Sequence, residues 1–445
     1  MAIINLIMSA TLTNWVGKLL ELLYTKIGNF GWTVVVFSII LKVVLSPLDI
    51  WQRVSTRNQQ KKMEAIKPKL EKIEKQYRNN PDLLKQKQYE VQREAKINVF
   101  ATCLPLIVTM VVFFVVFGGF RALVTYENEV IVEELDQTYV EYILDYNLDN
   151  LNDSQKETFK NNFSKCYLNY LYAEEIKNGE LSDEQKEDII NQATIKYADV
   201  LSSLDIKDVP LENRNEFWDV FKFFYSDSTD GISSKLTEYE DLAVENPNKY
   251  SEMRTLLAER YSAHLEGDRW LWVKNIFKSD TGTDVIPDVK AYTSSGAGGI
   301  NAKLNDTQTH TQYTYLTEPA AELLNKSGTW DIKNWNGYFI LPLLSLLTSF
   351  LSTFIMQKTG GNAASAVGTQ EQQAQQQKQM KMMTYMMPVM LAVFACLYSA
   401  AFAIYYFMSN IMATLTTLLV TFIMKQLDKR QTKSTQNGIV IDKRL

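Results

Sequence analysis

The chain has 445 residues, with 46 Lys and Arg against 51 Asp and Glu, and a mean hydropathy of −0.17, the averages of a mildly acidic soluble protein. This composition excludes disorder along the whole chain, a collagen-like repeat and a disulfide scaffold. With only Cys103, Cys166, Cys396, His264 and His310, and no Cys-x-x-Cys or His-x-x-x-His spacing, it offers little for metal, redox or histidine-dependent catalysis. No cofactor, no metal and no enzymatic step are expected.

The averages conceal a segregation of charge. Residues 1–30 lack the basic start and cleavage pattern of a secretory signal. Trp15, Leu19, Leu22, Leu23 and Ile27 recur at helical spacing, which predicts an amphipathic helix on the outer membrane surface. Residues 31–52 form the first predicted span, apolar except for Lys42, Asp49 and a few small polar residues. Residues 53–98 carry 13 basic and 6 acidic residues. There Met63, Ile66, Leu70, Ile73 and Tyr77 form a 3-4 seam, and Asn79-Asn80-Pro81 breaks the helix before a second stripe from Leu84 to Asn98. A helical hairpin is predicted, with Arg53, Arg57, Lys61, Lys62, Lys67 and Lys69 as its basic surface.

Residues 99–120 are uncharged and form the second span. Residues 121–337 hold 21 basic and 40 acidic residues and read as a large, mainly helical domain. Ser154-x-x-Glu157 and Ser182-x-x-Gln185 are its predicted capping boxes. Residues 279–314, rich in Gly, Ser, Thr and Asp, are predicted to be a flexible loop. The glycines at 296, 298 and 299 lack the Lys-Ser/Thr of a phosphate loop. Uncharged residues 338–356 make the third span, 357–381 a Gln-rich connection, 382–398 the fourth span and 400–424 the fifth, with a turn near Ser399-Ala400-Ala401. Residues 425–445 are a basic tail of 6 basic and 2 acidic residues. Buried helices of a soluble core are the competing reading, but such helices rarely run past 20 residues without a charged outer face. Lys and Arg fall in alternate connections, which predicts an outer N-terminus and a cytoplasmic C-terminus.

Lys42 is the most informative residue. It lies about 15 Å from either end of its span, too deep for a lysine stem to free its ammonium comfortably. At a lipid-facing midplane it costs at least ~2.5–3.5 kcal/mol, so it marks a functional site, unless it is held simply as an ion pair with Asp49. Ser38, Lys42, Ser46 and Asp49 share one helical face. Ser345, Thr348, Ser349 and Ser352 make a second polar stripe, and Tyr406, Ser409, Asn410, Thr414 and Thr417 a third. Each stripe alone is ordinary interhelical glue. Three stripes with a buried cation predict a shared hydrated cavity.

These residues resemble the YidC-type membrane protein insertases over all five spans and the hairpin. The resemblance rests on "NFGWTVVVFSIILKVVLSPL", "KKMEAIKPKLEKI", "INVFATCLPLIVTMVVF", "WLWVKNIF" followed by "YFILPLLSLLTSF", "QMKMMTYMMPVMLAVF" and "AIYYFMSNIMATL", in that order and spacing. It implies an all-α integral membrane protein of five transmembrane helices around a hydrophilic groove open to cytoplasm and lipid. Lys42 stands where the family usually has arginine, and keeps the charge without the bidentate fork. Ser399-Ala400-Ala401 replaces a Pro-x-Gly-like turn, and the outer insertion is larger than in most relatives.

The implied activity is insertion of nascent membrane proteins into the phospholipid bilayer of the bacterial plasma membrane, without ATP. The basic hairpin and tail would meet the ribosome, signal-recognition targeting factors or anionic lipid, and the resemblance brings the Sec translocon into consideration as a partner. The alternative is a secondary transporter or channel using Lys42 as an ion or proton site, though no internal repeat supports it. A receptor acting through its outer domain is a third reading.

Overall fold

A computed structural model of the chain describes residues 15–96, 100–210, 213–226, 236–296, 298–304, 310–325, 332–360 and 370–436. Among these residues the architecture is helical, with one isolated β-bridge between Trp270 and Val273. The start of the amphipathic segment, the middle of the Gln-rich connection and the end of the basic tail lie outside the described residues.

Helix α1 (Trp15–Ile27) buries Val16, Gly17 and Leu20, while Trp15 and Leu22 stay exposed. Val16 meets Gly119 of a neighbouring helix, and of the predicted stripe Leu19 and Leu23 are partly buried against the core. A Cβ on Gly119 would sit 2.5 Å from Val16. Helix α2 (Phe30–Gln76) fuses the first predicted span with the first arm of the hairpin. Asn29 caps it, accepting the Trp32 N–H at 3.2 Å. Pro47 inside α2 cannot bond the Val43 carbonyl, and the Ser46 hydroxyl takes that carbonyl at 2.8 Å. Helix α3 (Pro81–Glu94) returns along α2 from the Asn80 cap, burying Leu84, Gln88 and Gln92. The predicted break at Asn79-Asn80-Pro81 is where the hairpin turns.

Helix α4 (Phe100–Asp149) runs on from the second predicted span far into the acidic region. Helices α5 (Asp153–Leu171), α6 (Ala173–Lys177), α7 (Asp183–Lys196), α8 (Ala198–Ser203), α9 (Arg214–Ser226) and α10 (Tyr239–Glu245) follow. Phe159, Phe163, Tyr197, Phe217, Phe221 and Phe224 form an aromatic core among α5, α7 and α9. The Ser182–Gln185 capping box forms. The predicted Ser154–Glu157 box does not, since Asn152 and Gln155 make the reciprocal pair and α5 starts one residue before Ser154. Helix α11 (Pro247–Asp268) then runs back along α4.

The described part of 279–314 is a packed turn region, contrary to its predicted flexibility. Asp280, Val285, Ile286 and Tyr292 are buried, with Tyr292 on α12 (Val289–Thr293). Its Asp, Thr and Ser side chains bond the turning backbone, joined by Asn275 and Asn336 from either side, a use that composition does not distinguish from a linker. Asn275 donates to the Val285 carbonyl at 2.9 Å, and Asn336 donates to the carbonyls of Asn275 at 2.9 Å and Ser279 at 2.8 Å. Helix α13 (His310–Leu324) packs on α11, and α14 (Ile340–Gly360), α15 (Gln370–Leu397) and α16 (Ala400–Gln436) complete the chain.

Among the described residues, three helical stretches are long and apolar enough to cross a membrane: Phe30–Gln52, Met110–Asp149 and Ala400–Gln426. Ile340–Met356 and Tyr385–Leu397 are shorter apolar helices. Their faces are inverted relative to a soluble protein. On α14, Leu343, Leu347, Leu351 and Phe354 are exposed while Ser345 and Ser349 are buried. On α16, Leu415, Leu418, Leu419 and Phe422 are exposed while Ser409 and Thr417 are buried. Exposed apolar belts of this length need an apolar surrounding, and the chain is a multi-pass membrane protein.

Close approach to the membrane helices depends on small residues. A Cβ on Gly31 would lie 2.3 Å from the Trp270 ring, so Gly31→Ala is expected to destabilise the fold by roughly 1–3 kcal/mol, as overpacking does. A melting temperature indistinguishable from wild type in detergent would contradict this contact.

Candidate functional site

One short segment, Asp268 to Asp280, supplies acceptors to the N-termini of α2, α14 and α16. The first turn of any helix has unpaired N–H groups, and at each of these three heads one or more is met by a residue distant in sequence. Asp268 Oδ1 accepts the Phe30 N–H at 3.1 Å at the head of α2. The carbonyls of Ile276 and Lys278 accept the N–H groups of Ala401 (3.1 Å) and Ala400 (2.7 Å) at the head of α16. Asp280, fully buried, accepts from Tyr338 at 2.8 Å and Leu341 at 2.6 Å at the head of α14, and from the Trp272 indole at 3.2 Å. The three helices therefore start at one level and run in the same direction.

At 1.5 Å per residue this places Lys42 about 18 Å, Ser349 about 14 Å and Asn410 about 15 Å from the starts of their helices. Between these residues and the capping segment lies an aromatic cluster. Phe37, Phe120 and Tyr405 meet at ring separations of 5.4–6.4 Å, and Phe113 and Phe117 pack on Phe394 and Phe402. The bundle is thus packed with rings at the end nearest the acidic domain.

The two predicted stripes on α14 and α16 face each other. Ser345 Oγ donates to the Ala403 carbonyl at 3.3 Å, Asn410 Nδ2 donates to the Ser345 carbonyl at 3.4 Å, and the hydroxyls of Ser349 and Tyr406 lie 2.9 Å apart. Thr348, Thr414 and Thr417 donate to carbonyls of their own helices, and Ser352 is half-buried. On α2, Ser38 is buried and donates to Val34, and Ser46 to Val43. Lys42 Nζ lies 3.9 Å from Asp49 Oδ2, with about a fifth of each side chain exposed (21% and 26%). Among the described residues no direct hydrogen bond joins the Lys42 face to the α14–α16 interface. The hairpin lysines Lys61, Lys62, Lys67 and Lys69 are exposed; the side chains of Arg53 and Arg57 lie outside the described residues. No group of three or more His, Cys, Asp or Glu among the described residues could hold a metal.

The capping residues and the ring cluster were not singled out from sequence. Asp280 contacts backbone 58–61 positions away, and no local pattern announces such a cap.

Asp268 also accepts from the Tyr24 hydroxyl at 3.3 Å and lies 3.9 Å from His264 Nε2, with Glu127 and Arg260 acting on the same cluster. Burial pushes the Asp268 carboxyl up to about 6 and holds the His264 imidazole down at about 4, with Arg260 adding to the latter. The raised acid costs stability as pH rises from 4 to 6, whereas the depressed imidazole costs stability as pH falls from 6.5 to 4. The two slopes oppose, each roughly 3 kcal/mol in full. Relative to the wild type, the melting temperature over pH 4–6.5 is expected to climb with pH for Asp268→Asn and to fall with pH for His264→Gln. Parallel profiles for all three proteins would contradict the coupling.

The family model described as "60Kd inner membrane protein" matches residues 22–152 and 250–430. The unmatched stretch begins at α5 and ends in the first turn of α11, so the helices of the aromatic-cored domain are inserted between the matched blocks. The chain is similar to the membrane protein insertase YidC of Fusobacterium nucleatum, 36% identical over 96 residues, which are 22% of this chain and 45% of that relative. It is similar to that of Caldanaerobacter subterraneus at 32% over 112 residues, 25% of this chain and 52% of the relative. The chain thus spans about half the length of these curated relatives. No solved structure matches. The matched blocks take in the Asp268–Asp280 segment and the helices it caps, and by that coverage the chain belongs to the 60Kd inner membrane protein family, the family of the YidC-type proteins.

Proposed function

We propose that the chain is a membrane protein insertase that takes nascent hydrophobic segments from the cytoplasm into the bilayer without ATP hydrolysis. The observation that carries this reading is the common depth of Lys42, Ser349 and Asn410 beneath a ring-packed, capped end. A polar region at mid-membrane, blocked on one side, admits a polar tail from the other side and prevents free passage. Five spans with an outer N-terminus and a cytoplasmic C-terminus fit the directions of the helices: α2, α14 and α16 run from the capping segment, whereas α4 and α15 run toward it. The acidic domain then lies outside and the basic hairpin in the cytoplasm, where exposed Lys61, Lys62, Lys67 and Lys69 suit the ribosome, targeting factors or anionic headgroups.

In this mechanism the acidic outer tail of a client enters between α2 and α16. Lys42 exchanges its Asp49 partner for a client carboxylate, and the hydroxyls and amide on α14 and α16 replace water around the client backbone. The apolar segment then passes into lipid along the exposed faces of α14 and α16, gaining about 25 cal/mol per Å² of apolar surface removed from water. No covalent step is involved. The test is insertion of a purified single-span client into proteoliposomes holding only this protein. Protease protection of the client's outer tail is the expected result. Solute flux without client insertion would instead favour a transporter using Lys42.

A further inference from the structure

A second polar site lies at the opposite end of the bundle from the client path. Between α4, the 277–300 turn region and the α15–α16 turn is a cavity of about 230 Å³. One wall is apolar and belongs to membrane helices, with Phe117, Tyr398 and Phe402. The other belongs to the turn region and carries the hydroxyls of Ser279, Thr281 and Thr283. Two cations line it, Arg121 and Lys278. Arg121 donates to the Ser295 carbonyl, which leaves most of its five N–H donors available. The Lys278 ammonium makes no hydrogen bond or ion pair among the described residues, and Asp284 and Asp288 act on it only at a distance.

We propose that this cavity binds the phosphate headgroup of an anionic phospholipid in the outer leaflet, with Arg121 and Lys278 as its charge partners and the Phe117–Phe402 wall receiving the start of an acyl chain. Two cations facing one phosphodiester leave a net positive charge, so a headgroup without a compensating ammonium is preferred. The apolar wall distinguishes an amphiphile from a free anion, because a soluble phosphate gains nothing from it. The volume lies below the ~300–1,000 Å³ of pockets that enclose a whole small ligand and suits a headgroup whose chains remain in the bilayer. Burial pulls the Lys278 ammonium down to about 8, and a bound phosphate would draw it up again. Because the cavity adjoins the residues that start α16, an occupying lipid would fix the capped end against which a client is inserted.

The test uses the full chain, delipidated in a zwitterionic detergent, with dioleoylphosphatidylglycerol, dioleoylphosphatidylcholine and sodium phosphate as separate probes. Native mass spectrometry is expected to show phosphatidylglycerol retained about ten-fold more strongly than phosphatidylcholine, with the preference lost in Arg121→Gln/Lys278→Gln and kept in Lys278→Arg, as expected for charge-assisted bonds. A measurement on the unaltered chain guards against misfolded variants. Cys396 lines the same cavity, and phosphatidylglycerol is expected to slow its alkylation by N-ethylmaleimide at least five-fold, read on the Cys396 peptide. Equal retention of the two lipids, or unchanged alkylation with phosphatidylglycerol, overturns the site. Equal protection by sodium phosphate overturns the lipid assignment in favour of a soluble-anion site.

Discussion

Lys42→Ala is expected to lower insertion of a single-span client with an acidic outer tail by about ten-fold, because a charge-assisted hydrogen bond contributes roughly 1.5–3 kcal/mol and each 1.4 kcal/mol is a factor of ten. Lys42→Arg is expected to retain most of the yield, since it keeps the charge. A client whose tail carboxylates are replaced by amides should lose its sensitivity to Lys42. The 3.9 Å approach of Asp49 adds a second expectation. In the proposed mechanism Asp49 would compete with the client for the same ammonium, so Asp49→Asn should raise the yield of acidic-tailed clients a few-fold and leave amide-tailed ones unchanged. The measurement is protease-protected client in proteoliposomes, normalised to reconstituted protein. If Lys42→Ala and Lys42→Arg both insert at wild-type yield, charge capture is wrong.

The largest effect on stability is expected at Asp280. Its buried carboxylate accepts two backbone N–H groups at the head of α14 and one indole N–H. Asp280→Ala leaves all three without an acceptor, at about 1–3 kcal/mol for each group that water does not reach. The total is a large share of the ~5–15 kcal/mol that holds a typical protein folded. Asp280→Asn keeps one accepting oxygen and should lose about half as much. Gly337→Ala removes no polar atom, yet its Cβ would come within 1.9 Å of Asp280 Oδ1, so it should disturb the same cap. Thermal aggregation of the detergent-purified protein ranks the variants, with wild type first, Asp280→Asn next and Asp280→Ala last. An Asp280→Ala protein as stable as wild type would mean that α14 is held by its apolar contacts alone.

Much of the membrane core is legible locally. Charge is absent from 99–120, 338–356 and 382–424, and the bilayer requires this of any lipid-facing helix regardless of its neighbours. The turn between α15 and α16 falls where the sequence places it, and Asn80 caps the start of the second hairpin arm at the predicted Asn79-Asn80-Pro81 break. The polar stripes of α14 and α16 are also readable, because helical spacing alone puts Ser345 with Ser349 and Tyr406 with Asn410. Their mutual hydrogen bonds are not readable, since nothing in either stripe names the other as partner.

The buried side of α1 is set by Gly119, whose missing side chain admits Val16. Two readings moved for identifiable reasons. The capping box of α5 shifted to Asn152 because Asn, Ser and Asp are near-equal caps and their order along the chain does not rank them. The region after Ser279 reads as a linker because residues that bond turns are the same residues that solvate loops.

The sequence by itself determined where the apolar helices lie, how charge is segregated between them and where Lys42 falls along its helix, since each follows from composition and short-range periodicity. Only the tertiary structure decided that the 268–280 segment starts three helices at one level and that aromatic rings fill the bundle near it. These depend on groups tens to hundreds of positions apart whose unpaired N–H groups and ring faces are satisfied only when the chain closes on itself.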